Sequence, residues 1–456
     1  MSSSRSDVEP ILNINDGDMI QESLSEPTPP TIICESSTNN DNDNGENDRY
    51  HLVRILFFLI GLTQLLPMNF LITADDLWKY KFRNVNSTNI YNYNDDSDKT
   101  KLQTFFDSYL IIACNSPFLL VYLVSMTPYF QRITNDLKIF LSFSFTIITF
   151  MIITSLVKID TDEYQNAFLI ILLILVFIVN AAAIFIQAIF TGLAALFPLK
   201  YIQSMVAGQA MSGLFAALTK IFSLLGHRTL INNVFIFFLL ANLVLIVTFA
   251  LFLYVRNKSF YSSYAYSSNS LDSNIPMNLS LFGKIFQQIW PFCLTLTIVF
   301  WVTLSIYPGL FVLITPVDHK NQILPEKFIL PITCFLVFNL GDFFGRFFGK
   351  YILLSKTHSK TILILSFGRI LFIPLFLYCN AQPRHHSVLF PYEMIFVLFN
   401  FIFALMNGYL VLNVFVNGPQ LIPDEYRHMS GYFLIAFLGA GLTLGSLTSP
   451  LILDLL

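Results

Sequence analysis

An acidic and a basic residue lie one helical turn apart inside a long apolar stretch of this chain. Asp342 and Arg346 follow Asn339 within residues 328–350, where most other side chains are apolar. On an α-helix these three positions fall within about 60° of one another, so their side chains share one face. An ionised side chain at membrane depth costs about 2.5–3.5 kcal/mol on insertion scales and is typical of a substrate or ion pathway. We therefore interpret the three residues as a polar stripe facing a water-filled cavity; the alternative is an ion pair that only holds helices in place.

The composition of the 456-residue chain is typical of a protein embedded in a lipid bilayer. Hydrophobic residues make up 55% of it and charged residues 12%, and the mean hydropathy is +0.63. Apolar stretches of about 20 residues, the length that an α-helix needs to cross a bilayer, recur along almost the whole chain. This pattern excludes a water-soluble globular protein. The net charge of −3 gives no reason to expect a nucleic-acid partner.

The sequence predicts an all-α polytopic membrane protein with eleven transmembrane helices. The predicted spans are 51–74, 105–126, 137–157, 167–197, 202–226, 231–254, 286–310, 328–350, 361–379, 391–416 and 430–453. The fourth span is longer than a bilayer requires, so we expect it to end or kink near Phe197 and Pro198.

Polar segments divide the chain into four predicted regions. Residues 1–49 are rich in Ser, Asn, Asp, Glu and Pro, which predicts a disordered tail. Residues 50–254 form a six-helix bundle, 255–285 a flexible Ser- and Tyr-rich loop, and 286–456 a five-helix bundle. Two bundles joined by a polar linker are a common plan of secondary transporters.

Amide side chains in other spans also have the chemistry of a binding site. Gln187 lies in the middle of the fourth span, and Asn69 follows Pro67 within the first. An amide donates and accepts hydrogen bonds at once, which suits a heterocyclic base. The alternative for Gln187 is a hydrogen bond between helices, worth about 0.6 kcal/mol on average in membranes. Residues alone leave both interpretations open.

Motifs for cofactors and for enzymatic chemistry are missing from the sequence. Gly349 and Lys350 do not complete a phosphate-binding loop, and the five cysteines show no paired spacing. We expect no cofactor, no metal and no ATP-driven step. The stretch 340–343 resembles the motif of presenilin-type intramembrane aspartyl proteases, whose chemistry needs a second carboxylate facing the first. No Tyr-Asp pair supplies one here, so this enzyme is a remote alternative.

Several motifs together resemble those of the equilibrative nucleoside transporters, from the first span to the C-terminus. The matching stretches are Leu65–Ala74, Ala195–Pro198 with Tyr201, Gly208–Gln209 with Gly213, Thr303–Pro308, Phe338–Arg346, Pro374–Leu375, Cys379–Asn380, Asn407–Leu410 and Gly418–Pro419. The resemblance implies a fold similar to the major facilitator type, with a cytosolic N-terminus and rocking bundles. It also implies that Asn86, in the sequon of the first loop, is the glycosylation site.

The same resemblance implies a set of substrate-binding residues. Asp342 and Arg346 would contact the sugar hydroxyls, and Gln187 would bind the edge of the base. Other residues that would line the cavity are Leu65, Met68, Asn69, Asn115, Tyr307 and Asn339. Two of them depart from the family's pattern: Met68 replaces the usual Trp, and Tyr307 replaces the usual Phe. These changes affect the expected base preference.

The function predicted in this way is equilibrative, facilitated diffusion of nucleosides such as adenosine and uridine, with no enzymatic activity. The alternatives are a nucleobase carrier or an organic-cation carrier, the latter drawn by Asp75, Asp76 or Asp342. Proton coupling through Asp342 is a third alternative. We expect a multi-pass glycoprotein of the plasma membrane, ahead of a lysosomal or endosomal one, with no obligate protein partner.

Overall fold

The computed structural model describes residues 48–85, 100–125, 127–225, 229–265, 279–314, 326–382 and 388–456. Almost all of the predicted N-terminal tail, and the predicted glycosylation site Asn86, lie outside these ranges. We call the described residues up to 265 the first half and those from 279 onward the second half. Both halves belong to one structural unit.

Helices account for most of the first half. In chain order they are α1 (Leu52–Thr73), α2 (Asp75–Lys81), α3 (Lys101–Asn115), α4 (Pro117–Ser125), α5 (Pro128–Gln131), α6 (Asn135–Leu156), α7 (Gln165–Ala194), α8 (Leu199–Leu225), α9 (Leu230–Val255) and α10 (259–265).

The second half is also helical. Its helices are α11 (Leu279–Ile306), α12 (Glu326–Ile329), α13 (Val337–Gly349), α14 (Ser359–Gly368), α15 (Phe372–Leu377), α16 (Glu393–Asn417) and α17 (Ser430–Leu453). A π-helical segment, Leu330–Leu336, joins α12 to α13, and a 3-10 turn, Arg369–Leu371, joins α14 to α15.

The prediction of an all-α polytopic membrane protein is confirmed. In the described part of the chain, ten helical segments are long and apolar enough to cross a membrane. A shorter apolar stretch, Tyr109–Ser125, coincides with the predicted second span. The expected break after the fourth span is also present, because α7 ends at Ala194 and α8 begins directly after Pro198.

The predicted flexible loop at 255–285 differs from the structure at both of its ends. Its beginning is helical in α10, and α11 starts at Leu279 rather than at 286. The cause at the first end is aromatic packing. Tyr264 stacks on Phe197 with ring centroids 4.4 Å apart, and Tyr261 is almost completely buried. The composition predicted a flexible polar segment, but its tyrosine rings pack against neighbouring aromatic side chains and hold its first part in place.

Among the described residues, buried apolar side chains form three clusters, and their distribution distinguishes the two ends of the molecule. A shared cluster combines residues of both halves and includes Leu56, Ile60, Tyr201, Met205, Val411, Phe415, Met429 and Leu434. A first-half cluster contains only residues 62–245, and a second-half cluster only residues 298–456. The shared cluster contains side chains from the beginning of α1 and from the end of α16. The two halves therefore pack together at the end of the molecule where α1 starts.

Glycines bring two pairs of helices into backbone contact, because a residue without a side chain lets neighbouring helices approach closely. In α8, Gly208 lies so close to the Phe58 carbonyl of α1 that a Cβ atom would overlap it. In α13, Gly345 lies in the same way against the Leu405 carbonyl of α16. Backbones at this distance fix α1 against α8, and α13 against α16, within the first and second halves respectively.

Candidate functional site

The polar stripe predicted from the sequence lies on α13, directly after the π-helical segment. Pro331 lacks an N–H group, so the regular α-helical bonding pattern cannot continue through it, and wider turns of this kind are frequent at functional sites. Asp342 and Arg346 are both about 95% buried, and the Asp342 Oδ2 atom lies 3.0 Å from Arg346 Nη2. The i, i+4 spacing therefore produces a buried ion pair.

The Asp342 carboxylate has a second partner from α16. Asn407 Nδ2 donates to Asp342 Oδ1 over 2.7 Å. The carboxylate thus accepts one hydrogen bond at each oxygen from the chain itself, and each oxygen has a second lone pair. These two donors, one from α13 and one from α16, hold the carboxylate in place.

Arg346 connects the second half to the first. Its Nη1 atom donates to Gln209 Oε1 of α8 over 3.1 Å, and Gln209 Nε2 donates in turn to Gln64 Oε1 of α1 over 2.8 Å. The Nε atom of Arg346 is buried and has no hydrogen-bond partner among the described residues. The guanidinium therefore bridges the two halves while one of its donors is left without a hydrogen bond to the described residues.

A further layer of polar residues lies behind Asp342, inside the second half. Asn407 Oδ1 lies 3.0 Å from the Thr303 hydroxyl of α11. Arg369 is fully buried and donates to Thr303 Oγ1 over 2.9 Å and to the Val299 carbonyl over 2.8 Å. Its guanidinium carbon also lies 4.1 Å from the centre of the Phe403 ring. The ion pair is thus the middle of a longer hydrogen-bonded chain.

Other predicted site residues lie between the halves or on the walls of the second half. Asn115 Nδ2 donates over 3.2 Å to Ser446 of α17, and its buried Oδ1 has no partner among the described residues. The Asn339 side-chain oxygen lies against Gly213 of α8, where a Cβ atom would overlap it. Tyr307 stacks on Phe338 with ring centroids 3.9 Å apart.

The remaining predicted residues all belong to helices of the first half. Asn69 Nδ2 donates to Ser212 Oγ over 3.1 Å, within the first half. Gln187 is 1% exposed, in the part of α7 that approaches α17. Leu65 and Met68 of α1 are half-buried, and Met68 packs on the first-half cluster.

Acidic residues beyond the end of α1 are neutralised by a lysine. Lys220 Nζ lies 3.2 Å from Asp75 Oδ1 and 2.6 Å from Asp76 Oδ2, and Lys79 also pairs with Asp75. Burial alone would raise the pKa of Asp75, but the charges of Lys220 and Lys79 outweigh it, and the pKa lies below its usual range. This cluster fixes α2 to α8.

Sequence reasoning gave five residues of the polar chain no role in the site: Gln64, Gln209, Thr303, Arg369 and Asn407. Gln209, Asn407 and Thr303 belong to stretches that carried the family resemblance, but their partners were not evident from spacing. Arg369 was missed entirely, although an arginine inside the predicted ninth span is the same signal that identified Asp342. Applying that rule to every span would have found it.

Comparisons with known proteins agree with this architecture. The family model for Nucleoside transporter matches residues 172–278 and 266–453, which is more than half of the chain. Equilibrative nucleoside transporter 3 of Rattus norvegicus is 29% identical over 429 residues, covering 89% of each chain. Equilibrative nucleoside transporter 2 of Homo sapiens is 28% identical, covering 90% of this chain and 98% of the relative.

Among solved structures, a proton:xylose symporter of the major facilitator superfamily, bound to 6-bromo-6-deoxy-D-glucose, superposes with a TM-score of 0.57 over 89% of both chains. Its sequence identity of 11% makes this a similarity of fold alone. The predicted major-facilitator-like fold is therefore confirmed. Together with the family match and the long relatives, it establishes that this chain belongs to the nucleoside transporter family.

Proposed function

We propose that this protein is a facilitative carrier of nucleosides that works by alternating access. The observation that carries the proposal is the buried ion pair of Asp342 and Arg346, which lies where the two halves meet and bridges them through Gln209. A substrate that binds this pair beside Gln209 of α8 contacts both halves at once. Its binding energy can therefore influence which end of the molecule is closed.

The chemistry of the pair suits the hydroxyl groups of a sugar. The Asp342 oxygens accept from a hydroxyl, and the unpartnered Nε of Arg346 donates to one. Two adjacent hydroxyls satisfy both groups, whereas a free nucleobase offers no such pair. This favours nucleosides over nucleobases as substrates, with adenosine and uridine as the first to test.

Side chains around the pair are proposed to hold the base. Gln187 offers a donor and an acceptor to the edge of the ring, and the unpartnered Oδ1 of Asn115 is a further acceptor. Leu65, Met68 and Tyr307 supply apolar walls, and Met68 adapts its shape more readily than an aromatic residue does. Asn69 and Asn339 complete the set predicted from the sequence.

The contacts count against the alternative functions. Lys220 neutralises Asp75 and Asp76, so these residues are poor attractors of an organic cation. The partners of Asp342 are a guanidinium and an amide, whereas an aspartyl protease needs a second carboxylate in that position. A carrier, rather than an enzyme, is the function that remains.

The membrane is proposed to be the plasma membrane, with the N-terminus in the cytosol. In that orientation the loop after α2 faces outward, and Asn86 is available for glycosylation. The loop that contains the sequons at Asn257 and Asn278 lies on the opposite side, so these sequons stay unmodified.

Uptake of labelled adenosine and uridine into transporter-deficient cells tests the function. We expect uptake by the wild-type protein and its loss in Asp342→Asn and Arg346→Ala at normal surface abundance. Lys360→Ala, which removes an exposed positive charge, is the matched control and should transport normally. Absence of nucleoside uptake by well-expressed wild-type protein would overturn the assignment, and nucleobases and organic cations would be tested next.

A further inference from the structure

Arg369 is the buried charge in the second half for which the proposed mechanism has no use. It is 0% exposed, and it donates hydrogen bonds to Val299, Thr303 and Phe403 rather than to the ion pair. A guanidinium at membrane depth is costly, and such residues commonly serve function. Its position behind Asn407 indicates what that function is.

We propose that Arg369 is a positioning residue that orients the Asp342 carboxylate for substrate through Thr303 and Asn407. The proposal rests on the function proposed above. It follows from the direction of each hydrogen bond in the chain, which the chemistry of the groups determines.

The direction is fixed at both ends. An arginine side chain can only donate, so the Thr303 oxygen accepts from Arg369. An ionised carboxylate can only accept, so Asn407 turns its NH₂ group toward Asp342. The Asn407 oxygen then faces the Thr303 hydroxyl at 3.0 Å, where a hydroxyl proton is the group that fits.

The two NH₂ groups of Arg369 influence which acceptor receives the Thr303 hydroxyl proton. The Thr303 hydroxyl also lies 2.6 Å from the Val299 carbonyl, which competes with Asn407 for its single proton. The other arm of Arg369 donates to the same carbonyl over 2.8 Å and supplies part of its hydrogen bonding. Donation from Arg369 makes the Val299 carbonyl a weaker competitor for the Thr303 proton, and the contact from Thr303 to Asn407 benefits. A lysine is a point donor and cannot occupy both positions in this geometry.

For transport, the hydrogen-bonded chain holds the Asp342 carboxylate in an orientation in which it can accept from the substrate. A misoriented Asn407 would present its oxygen to the carboxylate and repel it. The substrate group that this arrangement recognises is a hydroxyl that donates to Asp342. Weakening of the chain should therefore reduce affinity for substrates that carry this hydroxyl, without changing the rate at which the bound carrier reorients.

A double-mutant cycle between Thr303→Val and Arg369→Met tests the proposal. Each single variant should raise the KM for adenosine about tenfold, the size expected for loss of one hydrogen bond to a charged group. Vmax per surface transporter should stay within about twofold. The double variant should also show about tenfold, because Arg369 acts through Thr303. Thr303→Ser keeps the hydroxyl and should restore the wild-type KM.

Deoxy analogues separate positioning from a general structural effect. With 2′-deoxyadenosine or 3′-deoxyadenosine, whichever lacks the hydroxyl bound by Asp342, the variants should have the same KM as the wild type. A KM increase of equal size for adenosine and for both analogues would overturn the proposal. So would effects that multiply to about a hundredfold in the double variant, or a loss of Vmax at unchanged KM.

Two outcomes distinguish this inference from the proposed function. Nucleoside uptake by the wild type with multiplying effects in the cycle overturns the positioning role alone. If wild-type protein takes up no nucleoside, the function falls, and the cycle is measured by thermal unfolding of purified protein. Additive losses of stability there would overturn the connection from Arg369 through Thr303.

If Arg369→Met does not reach the membrane, the test uses the single variants Arg369→Lys and Thr303→Val instead of the cycle. An unchanged KM for adenosine in both variants would overturn the positioning role.

Discussion

Replacing Gly408 with alanine would put a methyl group between α13 and α16, the helices that hold Asp342 and its partner Asn407. A Cβ atom on Gly408 would lie 2.9 Å from the Asp342 carbonyl carbon and 2.9 Å from the Arg346 backbone nitrogen, and closer still to the Asp342 carbonyl oxygen. Ordinary contact begins at 3.4 Å, so the backbones must separate by at least 3.4 − 2.9 = 0.5 Å, and further to clear the oxygen.

That separation acts directly on the carboxylate. The bond from Asn407 to Asp342 is 2.7 Å long, and 0.5 Å more brings it to about 3.2 Å, the upper limit of ordinary N–H···O distances. Clearing the oxygen takes it past this limit. A hydrogen bond to a charged group contributes about 1.5–3 kcal/mol, and overpacking costs about 1–3 kcal/mol. We expect Gly408→Ala to raise the KM tenfold or more and to lower the melting temperature.

Uptake kinetics, normalised to surface abundance, measure this effect beside a matched control. Gly368→Ala makes the same chemical change at the end of α14, where a Cβ atom meets nothing within 4 Å. That variant should transport normally and be no less stable, since alanine is favoured over glycine in helices by up to about 1 kcal/mol. A wild-type KM and melting temperature for Gly408→Ala would refute the reasoning.

Three further changes test other parts of the structure. Gln209→Leu removes the hydrogen bond from Arg346 to the first half. Its loss, about 1.5 kcal/mol, should lower the population of this conformation relative to more open ones about tenfold. Faster hydrogen exchange in α8 would measure this change. Asp75→Asn should lower the melting temperature by an amount that is constant from about pH 7 to pH 5, because the pKa of Asp75 is lowered. The contribution of the ionised form is present above the unfolded pKa of 3.8 and is lost as pH falls through the folded value. Asn86→Gln should abolish the mobility shift that glycosidase treatment produces.

Each of these has an outcome that contradicts it. Unchanged exchange in Gln209→Leu would mean that the bridge does not hold the halves together. A difference between Asp75→Asn and the wild type that disappears by pH 5 would mean that Asp75 is not held ionised by Lys220. A glycosidase shift that is retained in Asn86→Gln and lost in Asn278→Gln would reverse the proposed orientation.

Hydropathy and residue type predicted the parts of the structure that depend on one segment at a time. The spans follow from the length of apolar stretches, and the shared helix face of Asp342 and Arg346 follows from helical spacing. The end of α7 before Pro198 follows from the chemistry of proline. These features need no knowledge of neighbouring helices.

Features that depend on lateral packing could not be predicted in the same way. Asn407 and Asp342 are 65 positions apart in the sequence, and the close packing of α13 on α16 brings them together. The bridge from Arg346 to Gln209 spans 137 positions and joins the halves. Hydropathy determines that a helix is in the membrane but not which helix lies beside it.

The hydrophobic cluster that both halves share determines how substitutions far from the ion pair affect transport. Opening the molecule at that end would admit water, not lipid, so the change exposes apolar surface to solvent at about 0.8 kcal/mol per methylene. Trimming one methylene from a side chain such as Leu434 should therefore change the ratio of open to closed carrier about fourfold, without damaging the core of either half. Hydrophobic stabilisation weakens on cooling, so the ratio of open to closed carrier should also change with temperature.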